Sequence, residues 1–182
     1  MNRSEFLSRS VCSCLTACIL PVARQHSPSN GVTSCEKKFE FAQLYVKRLM
    51  DILEKELDEQ AGKKLVQTMG ETCARGAYGD KENVTDKIPV ADFVERLNGK
   101  MEGNIINWEY TENPRGLKIE DGYCLCPITE TGPEGLSGLW CECSVGYVRY
   151  MFERYTPGKF DVELLESLKR NGKRCRFKIT RI

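Results

Sequence analysis

From Phe41 onward, apolar residues return at every third or fourth position: Phe41, Leu44, Tyr45, Leu49, Ile52, Leu53 and Leu57. That period puts them on one face of a helix over roughly residues 37–58. A second helix carries Leu65, Val66, Met69 and Cys73. Pro89 suits a first helical position, where its missing N–H costs nothing, and Val90, Phe93, Val94 and Leu97 continue a short amphipathic helix stopped by Asn98-Gly99. The period then falls to two, so 104–111 and 117–126 read as strands joined by the turn Asn113-Pro114-Arg115-Gly116. The loop Pro127 to Leu139, rich in proline and glycine, reads as mobile, and without a Gly-Lys-Ser/Thr it is no phosphate loop. Ser144 is placed to cap a helix running to Tyr155, with Tyr147, Val148, Met151, Phe152 and Tyr155 facing inward.

The stretches 160–169 and 173–182 flank Asn171-Gly172, a strong hairpin signal. A two-residue loop there pairs Leu168 with Cys175 and Glu166 with Phe177. Val162, Leu164, Glu166 and Leu168 then share a face with Cys175, Phe177 and Ile179. The expected fold class is α+β, with N-terminal helices packed on an antiparallel sheet of about four strands that ends in a C-terminal β-hairpin.

The chain has 182 residues, enough for one domain of ordinary size. Its 27 Lys and Arg nearly balance 26 Asp and Glu, so no nucleic-acid footprint is present. Residues 1–23 read as an export signal: Arg3 and Arg9, then a moderately apolar run from Val11 to Ala23 too short to span a bilayer. Leu15-Thr16-Ala17-Cys18 fits a lipoprotein signal that leaves Cys18 lipidated, and cleavage after Ala23 is the rival. Asn2-Arg3-Ser4-Glu5-Phe6-Leu7 also resembles a twin-arginine signal with Ser4 in place of the second arginine. The expected location is therefore exported, periplasmic or lipid-anchored, with the membrane met only through Cys18; a cytoplasmic protein with an N-terminal tail is the alternative. Residues 24–36 read as a tether and 37–182 as a single domain.

Ten cysteines stand against one histidine, His26, which lies in the tether. The domain thus lacks an imidazole base, and its chemistry must use thiols, carboxylates or a bound group. Cys124 and Cys126 are two apart, as are Cys141 and Cys143, and on a strand such spacing turns both sulfurs to one side. Folding the intervening loop back brings four thiolates together, which suits zinc or an iron–sulfur cluster, and Cys175 and Cys73 can join them. Disulfides in an oxidising compartment, and plain packed thiols with no cofactor, remain alternatives. Cys143, just ahead of a predicted helix N-terminus, is the candidate nucleophile, and Glu166, on the predicted apolar face, is the candidate carboxylate to handle its proton. Trp108, Tyr123, Trp140, Tyr147 and Phe152 are candidate pocket-lining aromatics.

Cys124-Leu-Cys126-Pro127, Trp140-Cys-Glu-Cys-Ser-Val-Gly-Tyr147, Phe152-Glu153, Val162-Glu-Leu-Leu-Glu-Ser167 and Gly172-Lys-Arg-Cys-Arg-Phe177 together resemble the C-terminal half of 4-vinyl reductase-like domains. With Met69-Gly70-Glu-Thr-Cys73-Ala74, they resemble more closely the cysteine-rich bacterial proteins labelled L-2-amino-thiazoline-4-carboxylic acid hydrolase-like. The resemblance implies antiparallel strands and helices around a pocket for a small apolar or heterocyclic molecule. Cys141 and Cys175 match metal-ligand positions of zinc-carrying sensors of that group. The sensors' Glu and further Cys fall near Leu164 and Ser167, where this chain has neither, so other ligands would come from Cys124, Cys126 or Cys143. Three functions follow as expectations: a small-molecule-binding domain with a thiolate metal site, a hydrolase of an aminothiazoline carboxylate using Cys143 or metal-bound water, or a thiol redox protein. A homodimer is the expected alternative to a monomer.

Expressed from residue 1 in a bacterium, the protein is expected to take up labelled palmitate and to lose the label in Cys18→Ala. Cleavage after Ala23 instead gives an unlabelled N-terminus at Arg24, read by mass spectrometry.

Overall fold

A computed structural model describes residues 34–82, 84–112, 118–126, 128 and 135–182. Its helices are α1 (Ser34–Glu56), α2 (Glu59–Tyr78), α3 (Val90–Arg96) and α4 (Glu142–Tyr155), and its strands are β1 (Lys100–Glu102), β2 (Ile105–Glu109), β3 (Phe160–Glu166) and β4 (Arg176–Arg181). The strands form one antiparallel sheet in the order β1-β2-β4-β3, which makes the protein α+β. Residues 1–33 lie outside the described residues, and with them the export signal. So does the turn 113–116. Ser34, Cys35 and Glu36 belong to α1 and not to a tether.

Helix α1 buries a different face from the one its apolar count selects. Gln43 and Met50 are buried, Val46 and Leu53 partly so, while Phe41, Tyr45 and Ile52 are 67%, 61% and 56% exposed. The inward residues recur at three and four, as helical geometry requires. They win because they meet α2 and the segment before α4: Met50 packs with Val66, Leu136 and Trp140, and Gln43 donates to the Ile128 carbonyl at 3.1 Å.

Asp58 caps α2 by accepting from Ala61 N at 2.8 Å. Its buried residues are Gly62, Val66, Gly70 and Ala74, a stripe at spacing four, whereas Leu65 is 42% exposed and Cys73 is also exposed. The stripe is small because α4 lies directly against it. A Cβ on Gly70 would stand 1.9 Å from the Cys143 carbonyl oxygen, and one on Gly146 would stand 1.8 Å from that of Gln67. Backbone therefore meets backbone at both points, and only glycine fits. The expected Leu65–Cys73 face is overturned because large side chains at the crossing would hold the helices apart.

The other face of α4 covers the sheet. Val145, Val148, Met151 and Phe152 pack with Phe93 and Val94 of α3 and with Ile106, Val162, Phe177 and Ile179 of the strands. Here Val90, Phe93 and Val94 are buried as their spacing predicts. Two carboxylates on α4 are buried and paired: Glu142 with Arg170 and Gln67, and Glu153 with Lys81 and Lys159.

Three expected elements differ. The stretch 118–126 is no strand. It makes one isolated bridge, Lys118 with Glu112, and then turns at Asp121-Gly122, where Gly122 takes φ +88°. Strand β1, short and exposed throughout, replaces it at the sheet edge. The C-terminal strands pair Leu164 with Phe177 and Val162 with Ile179, two residues away from the expected register, and an irregularity after Leu164 sets Glu166 opposite Arg176. A two-residue slip leaves every side chain on its expected face, so the apolar alternation survives. Ser144 lies inside α4, whose N-cap is Cys141 with no side-chain cap bond, and Ser137 caps the preceding 3-10 turn Gly138–Cys141, its hydroxyl accepting from Leu139 N at 2.9 Å.

Gly146→Ala is expected to destabilise the domain by about 3 kcal/mol or more, since neither contacting backbone can retreat cheaply. On α2 but away from the crossing, exposed Gly76 has nothing within 4 Å of a Cβ, so Gly76→Ala should stabilise by up to about 1 kcal/mol. Chemical denaturation of the two variants checks both signs.

Candidate functional site

Cysteines from four stretches gather where α4 begins. Cys141 ends the 3-10 turn and Cys143 lies in the first turn of α4. Cys175 directly precedes β4, Cys124 and Cys126 end the segment 118–126, and Cys73 lies on α2 one turn beyond Gly70. Glu142, between Cys141 and Cys143, fastens this corner: its Oε1 accepts from Arg170 at 2.6 Å and its Oε2 from Gln67 at 2.9 Å.

The loop that carries Cys175 is built on three local features. Leu168–Arg170 form a 3-10 turn, Asn171 ends it in the left-handed region at φ 62°, and Gly172 N closes it on Ser167 O at 2.9 Å. A Cβ on Gly172 would stand 2.3 Å from Glu166 Cγ, so glycine lets the loop fold over that side chain. Glu166 Oε1 accepts from Lys173 N at 2.6 Å and from Arg174 N at 3.4 Å, and Oε2 pairs with Arg176 at 3.3 Å. The Lys173 amide, then Arg176, holds its carboxyl below the usual range. The candidate proton carrier is thus a loop clamp.

Burial raises the Cys141 and Cys175 thiols, and the nearby backbone of Lys169 and of Leu168, respectively, acts in the opposite sense. Ser167 Oγ is buried without a hydrogen-bond partner among the described residues. Cys126 accepts from Trp140 Nε1 at 3.4 Å.

Burial pushes Cys143 up to about 12, with Cys126, Cys73 and Cys141 adding to the rise. It pushes Cys175 up to about 11, with Cys141, Cys124 and Cys126 adding, and it raises Cys141, to which Cys124 adds. These sulfurs therefore lie within reach of one another's charge. No disulfide joins any two described cysteines. Among the described residues no group of three His, Cys, Asp or Glu side chains is already assembled to hold a cation.

With burial dominant, Cys143 is a neutral thiol at pH 7. Because the folded values of Cys143 and Cys175 exceed the ordinary 9.0, the stability these groups contribute is intact below pH 9 and is lost as pH rises towards 11 and 12.

Of the candidate aromatics, Trp140 and Tyr147 border the thiols. Tyr147 donates to Tyr78 Oη at 2.9 Å, and burial raises its phenol, with Tyr78 and Cys73 adding. Trp108 donates to Leu97 O at 3.1 Å and stacks on Phe177, and Phe152 meets Phe93 edge-on, so both belong to the core. Tyr123 is on the surface. Sequence reasoning missed Tyr78 and Tyr110. Burial raises the Tyr110 phenol well above its usual value, Cys175 and Cys143 contribute, and Ser144 bonds it. Its amide also donates to Cys175 O at 3.3 Å, a contact fixed by the β2–β4 pairing and not by any local motif.

A family model with the description "Family of unknown function (DUF6144)" matches residues 30–182. No curated protein matches the chain.

At about pH 8 in the metal-free, reduced protein, Cys143 should react with iodoacetamide roughly a thousandfold more slowly than a free cysteine, the ratio of their thiolate fractions. Peptide mass spectrometry over time measures this, and a rate like that of free cysteine would refute the neutral thiol.

Proposed function

The chain belongs to the DUF6144 family, whose function is unknown, and we propose that its domain is a thiolate metal-binding module that holds a small apolar or heterocyclic molecule. The observation that carries this reading is that half-buried cysteines from separate stretches of chain, Cys124, Cys126, Cys141, Cys143 and Cys175, lie within reach of one another's charge. A cation supplies the compensation that buried thiolates need. The donor set is entirely sulfur, with no histidine in the domain, which selects soft cations. Cys141 and Cys175 are the first pair of ligands, with Cys124 and Cys126 completing a set of four around zinc. An iron–sulfur cluster is the alternative that the same sulfurs accept. Half-buried Tyr78, Tyr110 and Tyr147 supply an aromatic wall beside the thiols, in keeping with the 4-vinyl reductase-like resemblance.

The hydrolase reading draws less support. It needs a Cys143 thiolate and a nearby base, whereas Cys143 is held neutral and Glu166 is occupied in its loop. Export is part of the proposal and rests on the residues 1–23. No helix of the described residues is long and apolar enough to cross a membrane.

Protein purified without oxygen should contain zinc, and cobalt substitution should give a thiolate-to-cobalt charge-transfer band. Cys175→Ser should weaken metal binding at least tenfold. Because thiols lose their protons on ligation, zinc binding should release protons, seen with a pH indicator. Iron in place of zinc selects the cluster, and absence of both metals with oxidised cysteines would refute the module.

A further inference from the structure

Helix α1 is apolar on two sides, and the domain buries one of them. Gln43, Val46, Met50 and Leu53 turn towards α2 and the segment before α4. Phe41, Leu44, Tyr45 and Ile52 stand in water on the other side, with the Phe41 and Tyr45 rings stacked at 6.4 Å between centroids. Positions 41, 45, 48 and 52 are spaced four, three and four apart, the repeat of a seam that meets another helix, and exposed Arg48 is its one polar member. A surface stripe of this kind marks an interaction face. Charge indicates what covers it. Lys37, Lys38, Lys47 and Arg48 outweigh Glu36 and Glu40 in the first part of the helix, and Asp51, Glu54 and Glu56 outweigh Lys55 in the last part. Lys47 and Asp51 pair with each other at 2.7 Å, and the remaining charges keep the same polarity. A second copy of α1 laid antiparallel sets the basic part of each helix against the acidic part of the other, whereas a parallel copy sets like against like.

We propose that two copies of this chain associate through α1, antiparallel about a two-fold axis. Phe41 of each copy then lies opposite Ile52 of the other, and Tyr45 lies opposite Arg48, whose guanidinium meets the face of the ring. A parallel pair would set Arg48 against Arg48. One helix pair buries less than the roughly 1,600 Å2 of a standard interface, so the dimer dissociates at micromolar concentration. The seam lies on the side of α1 turned away from α2, and dimer formation uses none of the thiols at the start of α4.

The test is sedimentation equilibrium of the full chain in excess reductant, between about 1 and 300 μM, where a monomer–dimer equilibrium is expected. Ile52→Asp and Phe41→Asp each place a carboxylate in the seam twice by symmetry, and each should raise the dissociation constant about tenfold or more. Both residues are exposed, so the variants should keep the fold, which far-ultraviolet circular dichroism verifies. Orientation is read in the otherwise unaltered chain by replacing Phe41 with the photo-cross-linker p-benzoylphenylalanine. After irradiation and trypsin, the covalent dimer should join residue 41 to the peptide 49–55 of the second copy, which contains Ile52. Capture of the peptide 39–47 of the second copy would overturn the antiparallel arrangement. A dimer that neither substitution weakens would overturn this face as its interface. A monomer at every concentration, or a cross-link within one chain to a residue before 34, would overturn the dimer itself.

Discussion

The approach of α2 to α4 governs the rest of the structure. Where Gly70 and Gly146 let two backbones touch, the helices lie closer than side chains would allow, and the first turn of α4 is fixed against α2. Glu142 exploits that closeness by reaching Gln67 on α2 and Arg170 on the loop before β4. A buried carboxylate without partners would be costly, so this one ties together three pieces of chain that carry cysteines. The thiol site follows from helix packing; it needs no loop designed for it alone.

Burial and the nearby backbone then pull the thiols in opposite directions. Desolvation drives Cys143 and Cys175 far above ordinary thiols, while the backbone of Leu168 and of Lys169 acts in the opposite sense at Cys175 and Cys141. An interior built for a thiolate nucleophile would not bury Cys143 among other sulfurs, each of which opposes its ionisation. In the proposed module a cation would oppose that burial, because it stabilises every thiolate at once and reverses the sign of their mutual effect.

Which of these features could be read in the sequence depends on the range of the interaction. The α+β class, α3 and the faces of β3 and β4 rest on local periodicity, and they hold even though the hairpin register slips by two residues. Asn171 does take the left-handed conformation that Asn-Gly promises, but it ends a 3-10 turn instead of forming the whole hairpin loop. Helix α1 was misread because it is apolar on two sides and periodicity cannot say which side has a neighbour. Helix α2 was misread because its packing stripe, Gly62, Val66, Gly70 and Ala74, is mostly too small to register as hydrophobic. At the site, the cysteine pairs were legible as a spacing. The backbone of Leu168 and of Lys169 was not, since every residue has a backbone and only the fold brings it near a thiol.

That distinction bears on how the site discriminates among ligands. Specificity carried by side chains alone would be set by six sulfurs that any thiophilic ion satisfies. Here a further layer comes from the backbone of a turn whose shape depends on Gly172 clearing Glu166 and on Glu166 holding Lys173 and Arg174. Glu166 thereby acts on this corner without touching a sulfur: it holds the loop that carries Cys175 into β4. The carboxylate that its pattern marks as a proton carrier is better understood as the group that holds the loop between β3 and β4.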